Sequence, residues 1–446
     1  MNKDILKIYA ITDRAWLKDG EHLSDKVEEA IAGGASIIQL REKVLKGEEL
    51  KALALSVKQV CNAYGIPLII NDDVELAREI DADGVHVGQS DMGIIRTREI
   101  LGQDKIIGAT AKTVEQARKA FEEGADYLGS GAVFGSTTKT DAKPMTKELL
   151  EEICESVPIP VVAIGGIDET NAAKLKGLPI AGIAVVSGIF ARKNVRRAAA
   201  TLGSLMYGRP VVHCITNYVT VNDVANLILS MDASPIMAHH ISEVDEVQIS
   251  ASALMINLGA TDDYEAVRLA AKRAVGEEHP IVIDPVGIGV STYRREFLLS
   301  LLEEVRPSCI RGNYSEIRAI LENRNTLKGL DDDSCNDSSI EECAVKLAKA
   351  YNMIVVASGK KDIITDGSNT YIVDAGDEYQ RRITGSGCML SAAITAVFVY
   401  SGVSAASAAY TCRLMGECAA TAAGQTIEEA GGSMSFRLKW LDEISK

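Results

Sequence analysis

Acidic and basic side chains in the first half of the chain have the types and spacing that a charged phosphate ligand requires. Asp72 and Asp91 each follow a short apolar run, and Arg41 and Lys43 follow another run of the same kind. Proteins bind magnesium through one or two carboxylates together with phosphate oxygens. The pattern therefore predicts that Asp72 and Asp91 hold magnesium on a diphosphate, and the alternative interpretation is an ion-pair network without a ligand.

A glycine-rich turn in the second half of the chain offers different chemistry. The segment ITGSGCML, from Ile383 to Leu390, leads directly into an apolar run that is typical of a buried helix. Free N–H groups at a helix start attract a phosphoryl group, so the segment predicts an anion site, with an ordinary tight turn as the alternative. Cys388 stands at the helix start, where we expect a lowered thiol pKa and a reactive side chain.

Three charged residues near other apolar runs complete this second set. Asp284 and Glu316 are carboxylates suited to organising magnesium on ATP, although acids at such positions also cap helices. Arg311 is suited to neutralising the phosphates of ATP. The second half of the chain therefore predicts a phosphoryl-transfer site.

Eight short apolar runs in the first half predict the strands that position its charged residues. They are KIYAITD, SIIQLRE, PLIIND, GVHVGQ, KIIGATA, YLGSGAVF, PVVAIGGI and GIAVVSG. Runs that are apolar throughout are typical of strands buried on both faces, and segments with helical spacing separate them. Eight such strand and helix units predict an α/β fold that closes into a (β/α)8 TIM barrel.

Polar residues, glycines and one valine follow these runs where the strands of such a barrel would end, which is where barrels place their chemistry. They are Gln39, Arg41, Lys43, Asn71, Asp72, Gln89, Asp91, Thr110, Ser136, Thr137, Thr138, Lys139, Gly165, Gly166, Val186 and Ser187. The glycines after the last two runs predict a monophosphate site formed by backbone N–H groups, with tight turns as the alternative. We expect the barrel mouth to hold a diphosphate on one side and a monophosphate on the other.

Four motifs give the first half a specific resemblance to a known family. They are QLREK (Gln39 to Lys43), NDD (Asn71 to Asp73), GVHVGQSD (Gly84 to Asp91) and AIGGI. Together they resemble the thiamine-phosphate synthase family over essentially the whole first domain. The resemblance implies a reaction that joins a thiazole ring to a pyrimidine methylene and expels diphosphate. Charge builds on the leaving group, so cations and magnesium directed at it would lower the barrier.

The same resemblance implies a role for each matching residue. The residues implied to hold aminopyrimidine diphosphate are Gln39, Arg41, Glu42, Lys43, Asn71, Thr110 and Lys139, with Arg41 and Lys43 catalytic. The implied magnesium ligands are Asp72 and Asp91. The residues implied to hold thiazole phosphate are Ser136, Thr137, Thr138, Gly166, Val186 and Ser187.

The second half has fewer and more widely spaced strand patterns, ALMINLG, PIVIDPVG, SCIRGN and MIVVASG. This spacing predicts an open α/β sheet with helices on both faces and ligands at the carboxyl ends of the strands. The segments HCITNYVTVNDVAN (His213 to Asn226) and SPIMA (Ser234 to Ala238), with the turn and charged residues above, resemble the hydroxyethylthiazole kinase family. That resemblance implies a ribokinase-like α/β domain.

The second resemblance also implies site residues and an assembly. The residues implied to contact substrates are Met237 and Gly385 for the thiazole alcohol and Arg311 and Ser358 for ATP. Asp284 and Cys388 are implied to be catalytic, Cys388 standing where related sugar kinases have an Asp base, and Glu316 is implied to bind metal. Members of the family are typically trimers, which implies a homo-oligomer.

Composition limits the partners and the compartment. The formal net charge of −15 argues against nucleic acid, whose phosphates need a basic face. The nine Cys occur singly, without a CxxC pair, which is typical of a reducing cytoplasm. The longest apolar run is shorter than the ~20 residues that cross a bilayer, and the amino-terminal segment lacks the apolar core of a signal peptide. We therefore expect a cytoplasmic protein with small-molecule substrates and without a nucleic-acid or membrane partner.

The segment TLGSLMYGRP, Thr201 to Pro210, predicts a short tether between domains at residues 1–202 and 203–446. Thiazole phosphate, the product of the kinase family, is a substrate of the synthase family, so the two resemblances predict a bifunctional enzyme of thiamine biosynthesis. One alternative is a barrel that acts on another phosphorylated substrate, fused to a different small-alcohol kinase. A second alternative is a non-catalytic protein that binds thiamine precursors, because fold alone does not determine function.

Overall fold

The structure is a computed structural model that describes residues 1–135, 145–259, 263–323 and 337–446. These residues divide into two units, Met1–Gly208 and Arg209–Lys446. Each unit has its own sheet, and the polar residues predicted from the sequence lie mainly where the strands of each sheet end.

The apolar runs of the first unit form eight strands that close into a barrel within the described residues. They are β1 (Ile8–Ile11), β2 (Ile37–Leu40), β3 (Leu68–Asn71), β4 (Gly84–Val87), β5 (Ile106–Thr110), β6 (Tyr127–Gly131), β7 (Val161–Ile164) and β8 (Gly182–Val185). Each strand pairs in parallel with the next, and β8 pairs with β1. Because both faces of these strands are buried, they require the apolar runs that the sequence supplies. The predicted (β/α)8 barrel is confirmed.

Helices connect the strands of the barrel and cover its outside. They are α1 (Leu23–Ala32), α2 (Gly47–Tyr64), α3 (Val74–Glu79), α4 (Ile94–Leu101), α5 (Val114–Glu122), α6 (Lys147–Ser156), α7 (Ser187–Phe190) and α8 (Val195–Tyr207), with 3₁₀ turns at Lys3–Leu6, Arg14–Trp16 and Ala172–Leu175. The side chains of Asp73, Thr113, Thr146 and Asn194 each accept a backbone N–H at a helix start. Such caps fix the residue at which each loop ends and its helix begins.

Helix α8 runs through most of the segment that the sequence predicted to be a tether. Its buried side includes Leu202 and continues to Met206, and the helix ends at Gly208, whose φ of +90° suits glycine. The predicted domain boundary after Leu202 therefore falls inside a helix. The physical reason is that the apolar residues of this segment recur at helical spacing.

Strands of the second unit form an open eight-stranded sheet within the described residues. They are β9 (Val211–Ile215), β10 (Ser234–Ile236), β11 (Ala253–Asn257), β12 (Ile281–Asp284), β13 (Cys309–Asn313), β14 (Ile354–Ser358), β15 (Asp362–Thr365) and β16 (Thr370–Val373). Their order is β10-β9-β11-β12-β13-β14-β15-β16, parallel as far as β14 and antiparallel after it. The predicted open α/β sheet is confirmed.

Four of these strands were not predicted from the sequence. β10 has only three residues, and β9 overlaps the start of the segment His213 to Asn226, which we interpreted as a family motif. β15 and β16 form a hairpin whose turn is held by Asp366, since its Oδ1 accepts the N–H groups of Ser368 and Asn369 at 2.8 and 2.7 Å. Short strands leave too few residues for a clear period of two.

The helices of the second unit pack on both faces of the sheet. They are α9 (Val221–Ser230), α10 (Val244–Ser250), α11 (Tyr264–Gly276), α12 (Thr292–Glu304), α13 (Tyr314–Glu322), α14 (Asp337–Tyr351), α15 (Ser386–Ser401), α16 (Ala405–Glu428) and α17 (Ser433–Ser445), with a 3₁₀ turn at Glu378–Arg382. Alternate strand residues enter two separate cores, so Met255 packs with α15 while Leu254 packs with α11. Helix α15 is buried along most of its length, as its apolar sequence predicts. In the described parts of the chain, no helix has the length and apolar character needed to cross a membrane.

Candidate active sites

The barrel places most of the predicted synthase residues at the carboxyl ends of its strands. Asn71 ends β3 and Thr110 ends β5, while Asp72 follows β3 directly with an exposed side chain. Asp72 has a left-handed backbone with φ of +64°, and its N–H donates to the carbonyl oxygen of His86 at 2.9 Å. Residues other than glycine rarely adopt this conformation, although Asp tolerates it better than most. An uncommon backbone at a strand end supports a functional interpretation of Asp72.

Asp91 lies in the loop after β4 with an exposed side chain. Its Oδ2 accepts the N–H of Gly88 at 2.7 Å, and Gln89 ties the same loop to β5 by donating from Nε2 to the Thr110 carbonyl oxygen at 2.6 Å. In the described part of the chain, no cluster of three or more His, Cys, Asp and Glu side chains is arranged to hold a metal ion. Two carboxylates still fit magnesium on a diphosphate, because phosphate oxygens and water complete its six ligands.

The two predicted cations after β2 differ in their surroundings. The backbone N–H of Arg41 donates to Thr12 Oγ1 at 3.0 Å, and Arg41 Nη1 lies 3.8 Å from Asp13 Oδ2. The guanidinium is therefore held near the end of β1, with only 11% of the side chain exposed. Lys43 is exposed, so its ammonium is accessible to an anionic ligand.

Glu42 stands between these cations, and its carboxylate is engaged by its own loop. Oε1 accepts the backbone N–H groups of Val44 and Leu45 at 2.6 and 3.2 Å, and Oε2 lies 2.8 Å from Arg14 Nε. Carboxylates that accept several N–H groups fix the conformation of a loop. These contacts favour a positioning role for Glu42 over direct contact with a ligand.

Gln39 and Thr110 are connected through three side chains that the sequence analysis did not identify. Gln39 Nε2 lies 2.8 Å from Tyr9 Oη, which lies 2.6 Å from Tyr127 Oη. Tyr127 Oη lies 3.0 Å from His86 Nδ1, and His86 Nε2 lies 3.0 Å from Thr110 Oγ1. Burial raises the pKa of both phenols, so they keep their protons. The sequence signals were Tyr9 and His86, which interrupt the apolar runs KIYAITD and GVHVGQ, and Tyr127, which begins the run YLGSGAVF.

The loops after β7 and β8, predicted to bind a monophosphate, lie against each other. A Cβ at Gly188 would overlap the carbonyl oxygen of Ile167, so glycine is required for this close approach. Gly166 has φ of +64°, and its carbonyl oxygen accepts a hydrogen bond from Asn171 Nδ2 at 2.8 Å. Glycines let backbone N–H groups approach a phosphate closely, so these two adjacent turns fit the predicted chemistry.

The remaining predicted thiazole phosphate residues divide between described and undescribed parts of the chain. Val186 precedes α7, and Ser187 is its first residue. The predicted residues Ser136, Thr137, Thr138 and Lys139 lie outside the described residues.

The candidate kinase site lies where the strand order of the second sheet reverses. β10 and β11 lie on opposite sides of β9, and ligands bind open α/β sheets at such points. Asn217 follows β9 and Asn257 ends β11, and Asn217 Nδ2 donates to Asn257 Oδ1 at 3.2 Å. Asn257 Nδ2 then donates to Asp284 Oδ2 at 2.9 Å and to Cys388 Sγ at 3.0 Å. The structure thus joins the two predicted catalytic residues through an asparagine that the sequence analysis missed.

The pKa of Cys388 differs from the sequence prediction. Burial and the carboxylate of Asp284 raise the pKa of the Cys388 thiol to about 12, although Cys388 lies in the first turn of α15. The prediction of a lowered pKa was therefore wrong, because the sequence shows the helix start but not the burial of the thiol. Burial also raises the pKa of Asp284, which is fully buried, and Arg311 lowers it in part.

Arg311 and Ser358, predicted to contact ATP, are partners of each other. Arg311 Nη2 donates to Ser358 Oγ, and Arg311 Nη1 lies 3.9 Å from Asp284 Oδ1. A Cβ at Gly387 would overlap the Arg311 guanidinium, so the glycine-rich turn lets this cation lie directly beneath the start of α15. A cation and helix N–H groups at one place suit a phosphoryl group.

Glu316 links two loops of the candidate kinase site. Its Oε1 accepts the N–H of Gly287 and its Oε2 accepts the N–H of Asn313, both at 2.9 Å, and the second bond belongs to a capping box at the start of α13. Burial and then the Asp284 carboxylate raise the pKa of Glu316 to about 7. These contacts show Glu316 holding the loop after β12 in place.

Two further predicted residues border the same region. Gly385 precedes α15 with φ of +85°, and a Cβ there would lie 2.6 Å from Thr220 Cγ2. Glycine is therefore required by both the backbone and the neighbouring side chain. Met237 follows β10 and packs against the core that contains Cys388.

Two family models match the chain in tandem. The model described as thiamine monophosphate synthase matches residues 8–189, and the model of the hydroxyethylthiazole kinase family matches residues 202–446. The second match covers more than half of the chain.

Curated relatives have the same order of parts. The probable thiamine biosynthetic bifunctional enzyme of Schizosaccharomyces pombe is 30% identical over 428 residues, which cover 86% of this chain and 82% of that protein. The thiamine biosynthetic bifunctional enzyme of Saccharomyces cerevisiae is 31% identical over 427 residues, or 83% of this chain and 79% of that protein. The thiamine-phosphate synthase of Alkaliphilus oremlandii is 48% identical over 195 residues, or 44% of this chain and 93% of that protein. The chain therefore belongs to the family of bifunctional thiamine-biosynthetic enzymes, with a thiamine-phosphate synthase before a hydroxyethylthiazole kinase.

Proposed function

We propose that the second unit phosphorylates hydroxyethylthiazole with ATP and that the first unit joins the resulting thiazole phosphate to aminopyrimidine diphosphate. The products of the second step are thiamine phosphate and diphosphate. The observation that carries this proposal is the tandem match of both families in one chain, because the product of one family is a substrate of the other.

In the synthase, we assign the cations and carboxylates of the barrel mouth to the departing diphosphate. Asp72 and Asp91 would hold magnesium, which supplies positive charge to the leaving group. Arg41 and Lys43 neutralise the same charge, while Asn71 binds a phosphate oxygen. Thiazole phosphate binds the glycine loops at Gly166, Val186 and Ser187, together with Ser136, Thr137 and Thr138, and Lys139 binds the diphosphate.

In the kinase, we assign proton acceptance to Asp284 rather than to Cys388. A thiol with a pKa of about 12 stays protonated near neutral pH, so it is a poor base. Asn257 holds the Asp284 carboxylate and the Cys388 sulfur together, which orients both toward the end of β11 and β12. Arg311 and Ser358 bind ATP phosphates with the N–H groups at the start of α15, and Glu316 would hold magnesium or the loop beside it.

Two wider predictions belong to this proposal. The resemblance to trimeric kinases favours a homo-oligomer, which light scattering would show as a mass of three times the 47.7 kDa chain. The cytoplasmic location and the domain boundary near residue 202 stay predictions.

A coupled assay tests the proposed function. Hydroxyethylthiazole, ATP, magnesium and aminopyrimidine diphosphate are supplied together, and thiamine phosphate is measured by chromatography. We expect thiamine phosphate only in the complete mixture, and thiazole phosphate when the pyrimidine is omitted. Thiamine phosphate without ATP, or turnover of another small alcohol in preference to hydroxyethylthiazole, would contradict the proposal.

A further inference from the structure

A chain of hydrogen bonds joins Gln39 to Thr110 through the interior of the barrel. An amide nitrogen only donates, so Tyr9 Oη accepts from Gln39 Nε2. Because Tyr9 is buried and an unpaired buried proton is costly, pairing the Tyr9 proton requires that Tyr9 donate to Tyr127 Oη. Tyr127 then donates to His86 Nδ1, which leaves the imidazole proton on Nε2. His86 Nε2 donates to Thr110 Oγ1. Each step follows from the one before it when every buried hydroxyl proton is paired, because a hydroxyl has one proton to donate.

The packing around the chain holds its aromatic rings in place. A Cβ at Gly108 would overlap the Tyr127 ring, and a Cβ at Gly129 would lie 3.1 Å from His86 Cε1. Two strands of the barrel therefore lack side chains at the places where these rings lie. The rings of Tyr9 and Tyr127 also pack edge to face, with centroids 5.8 Å apart. Residues held on packed strands position their polar groups more exactly than residues on loops.

We infer that Tyr9, Tyr127 and His86 determine which pyrimidine the synthase accepts, by fixing an acceptor at Gln39 and a donor at Thr110. Because Gln39 Nε2 donates to Tyr9, the carbonyl oxygen of the Gln39 side chain is the atom left to accept a hydrogen bond from the pyrimidine. With Oγ1 accepting from His86, the Thr110 hydroxyl keeps its own proton to donate. An amino group on a pyrimidine matches the acceptor, and a ring nitrogen matches the donor. An oxo group in place of the amino group would face the Gln39 carbonyl without a proton between them.

This inference rests on the proposed synthase function, and it adds a reason for the choice of substrate. The three residues are positioning residues, since they act through Gln39 and Thr110. A site that leaves a buried polar group unpaired rejects the wrong ligand strongly, whereas apolar contacts alone discriminate weakly. The direction of the chain, rather than the shape of the barrel, is therefore expected to separate amino from oxo pyrimidines.

The first test measures the His86 tautomer in the intact protein without any substitution. The full chain, labelled with ¹⁵N-histidine, is examined by long-range ¹H–¹⁵N correlation, and His86→Gln assigns the signal among the six histidines. We expect a neutral imidazole with the proton on Nε2 at pH 7.5. A proton on Nδ1, or a charged ring, would overturn the inference whether or not the enzyme joins the rings.

The second test compares aminopyrimidine diphosphate with its oxopyrimidine analogue in two sets of variants. Tyr127→Phe keeps the ring but cuts the chain, and we expect about a ten- to hundred-fold loss of kcat/KM for the amino substrate, since buried partners lose their hydrogen bonds. We expect the preference for amino over oxo substrate to fall at least about tenfold, with the KM for thiazole phosphate unchanged. His86→Gln keeps one acceptor and one donor, so it should retain more of the preference than His86→Leu.

The kinase of the same chain is the internal control for folding and concentration. Its kcat should equal that of the wild type in every barrel variant. A barrel variant that slows both pyrimidines equally, or that leaves the amino preference intact, would show that the three residues only support the fold. A wild-type chain that joins neither pyrimidine would instead refute the proposed function. The tautomer measurement would then still test the direction of the hydrogen bonds.

Discussion

The substitution Glu316→Gln should change how the stability of the second unit depends on pH. Glu316 is 5% exposed, and each of its carboxylate oxygens accepts one backbone N–H. Burial, followed by repulsion from Asp284, raises its pKa from 4.5 to about 7. Glutamine has nearly the same shape but does not ionise in this range, so it removes the titration while keeping one acceptor.

The sign and size of the effect follow from proton binding. Between pH 4.5 and about 7 the unfolded chain releases this proton and the folded chain keeps it, so wild-type stability falls as pH rises. A group whose pKa is 4.5 in the unfolded chain and about 7 in the folded chain lowers the free energy of unfolding by about 2.5 kcal/mol between pH 5 and pH 8. Glutamine does not ionise, so the variant does not lose this stability as the pH rises. Its NH₂ group cannot accept one of the two backbone N–H groups, however, which lowers the free energy of unfolding by about 1 to 3 kcal/mol at every pH. The variant should therefore be less stable than wild type at pH 5 and approach or exceed it at pH 8.

Urea unfolding followed by tryptophan fluorescence would measure this difference. The chain has two tryptophans, and Trp440 is buried in the second unit, where its Nε1 donates to the Met415 carbonyl oxygen at 2.9 Å. A Trp16→Phe background leaves Trp440 as the only reporter. The free energy of unfolding is then compared at pH 5, 6, 7 and 8 with and without Glu316→Gln.

A matched substitution separates burial from charge alone. The Glu342 side chain is 76% exposed, so Glu342→Gln should leave the pH dependence of the wild type unchanged. If wild type and Glu316→Gln differ by the same free energy at pH 5 and pH 8, the carboxylate is not titrating in this range. The raised pKa, and the role of burial as its main cause, would then be refuted.

Three further predictions concern activity and folding. Asp72→Ala or Asp91→Ala should abolish ring joining and leave the kinase rate unchanged, because only the barrel loses magnesium ligands. Ring joining at the wild-type rate in either variant would show that the substituted residue is not a magnesium ligand. Cys388→Ala should lower the kinase kcat by less than the ~10²- to 10⁴-fold that loss of a general base causes. The wild-type kcat should stay constant from pH 7 to 9. A tenfold rise in wild-type kcat per pH unit would instead identify the thiolate as the base. Separate chains divided after Gly208 should each keep their own reaction, since each unit has its own core, and insolubility of either part would show that it needs the other.

Apolar runs and strand ends were predictable because their physical cause is local in the sequence. A strand buried on both faces needs an apolar run such as the one in PLIIND, and the residue that follows the strand must lie at the barrel mouth, as Asp72 does. The chain from Gln39 to Thr110 was not predictable in this way. Tyr9 and Tyr127 are 118 residues apart and meet only because β1 and β6 face the same barrel interior.

In the candidate kinase site, the pKa of Cys388 was likewise not predictable from the sequence. The position of Cys388 in the first turn of α15 favours the thiolate, and a hydrogen bond from Thr220 and the charge of Arg311 also lower its pKa. Burial and the Asp284 carboxylate act in the opposite direction and are larger, because the pKa is raised to about 12. The sequence shows the helix start that lowers the pKa, while burial and the nearby carboxylate, which raise it, depend on packing between α15 and β12. A protonated thiol beside a buried carboxylate is the reason for our proposal that Asp284 accepts the proton, and Asn257 Nδ2 donates a hydrogen bond to that carboxylate.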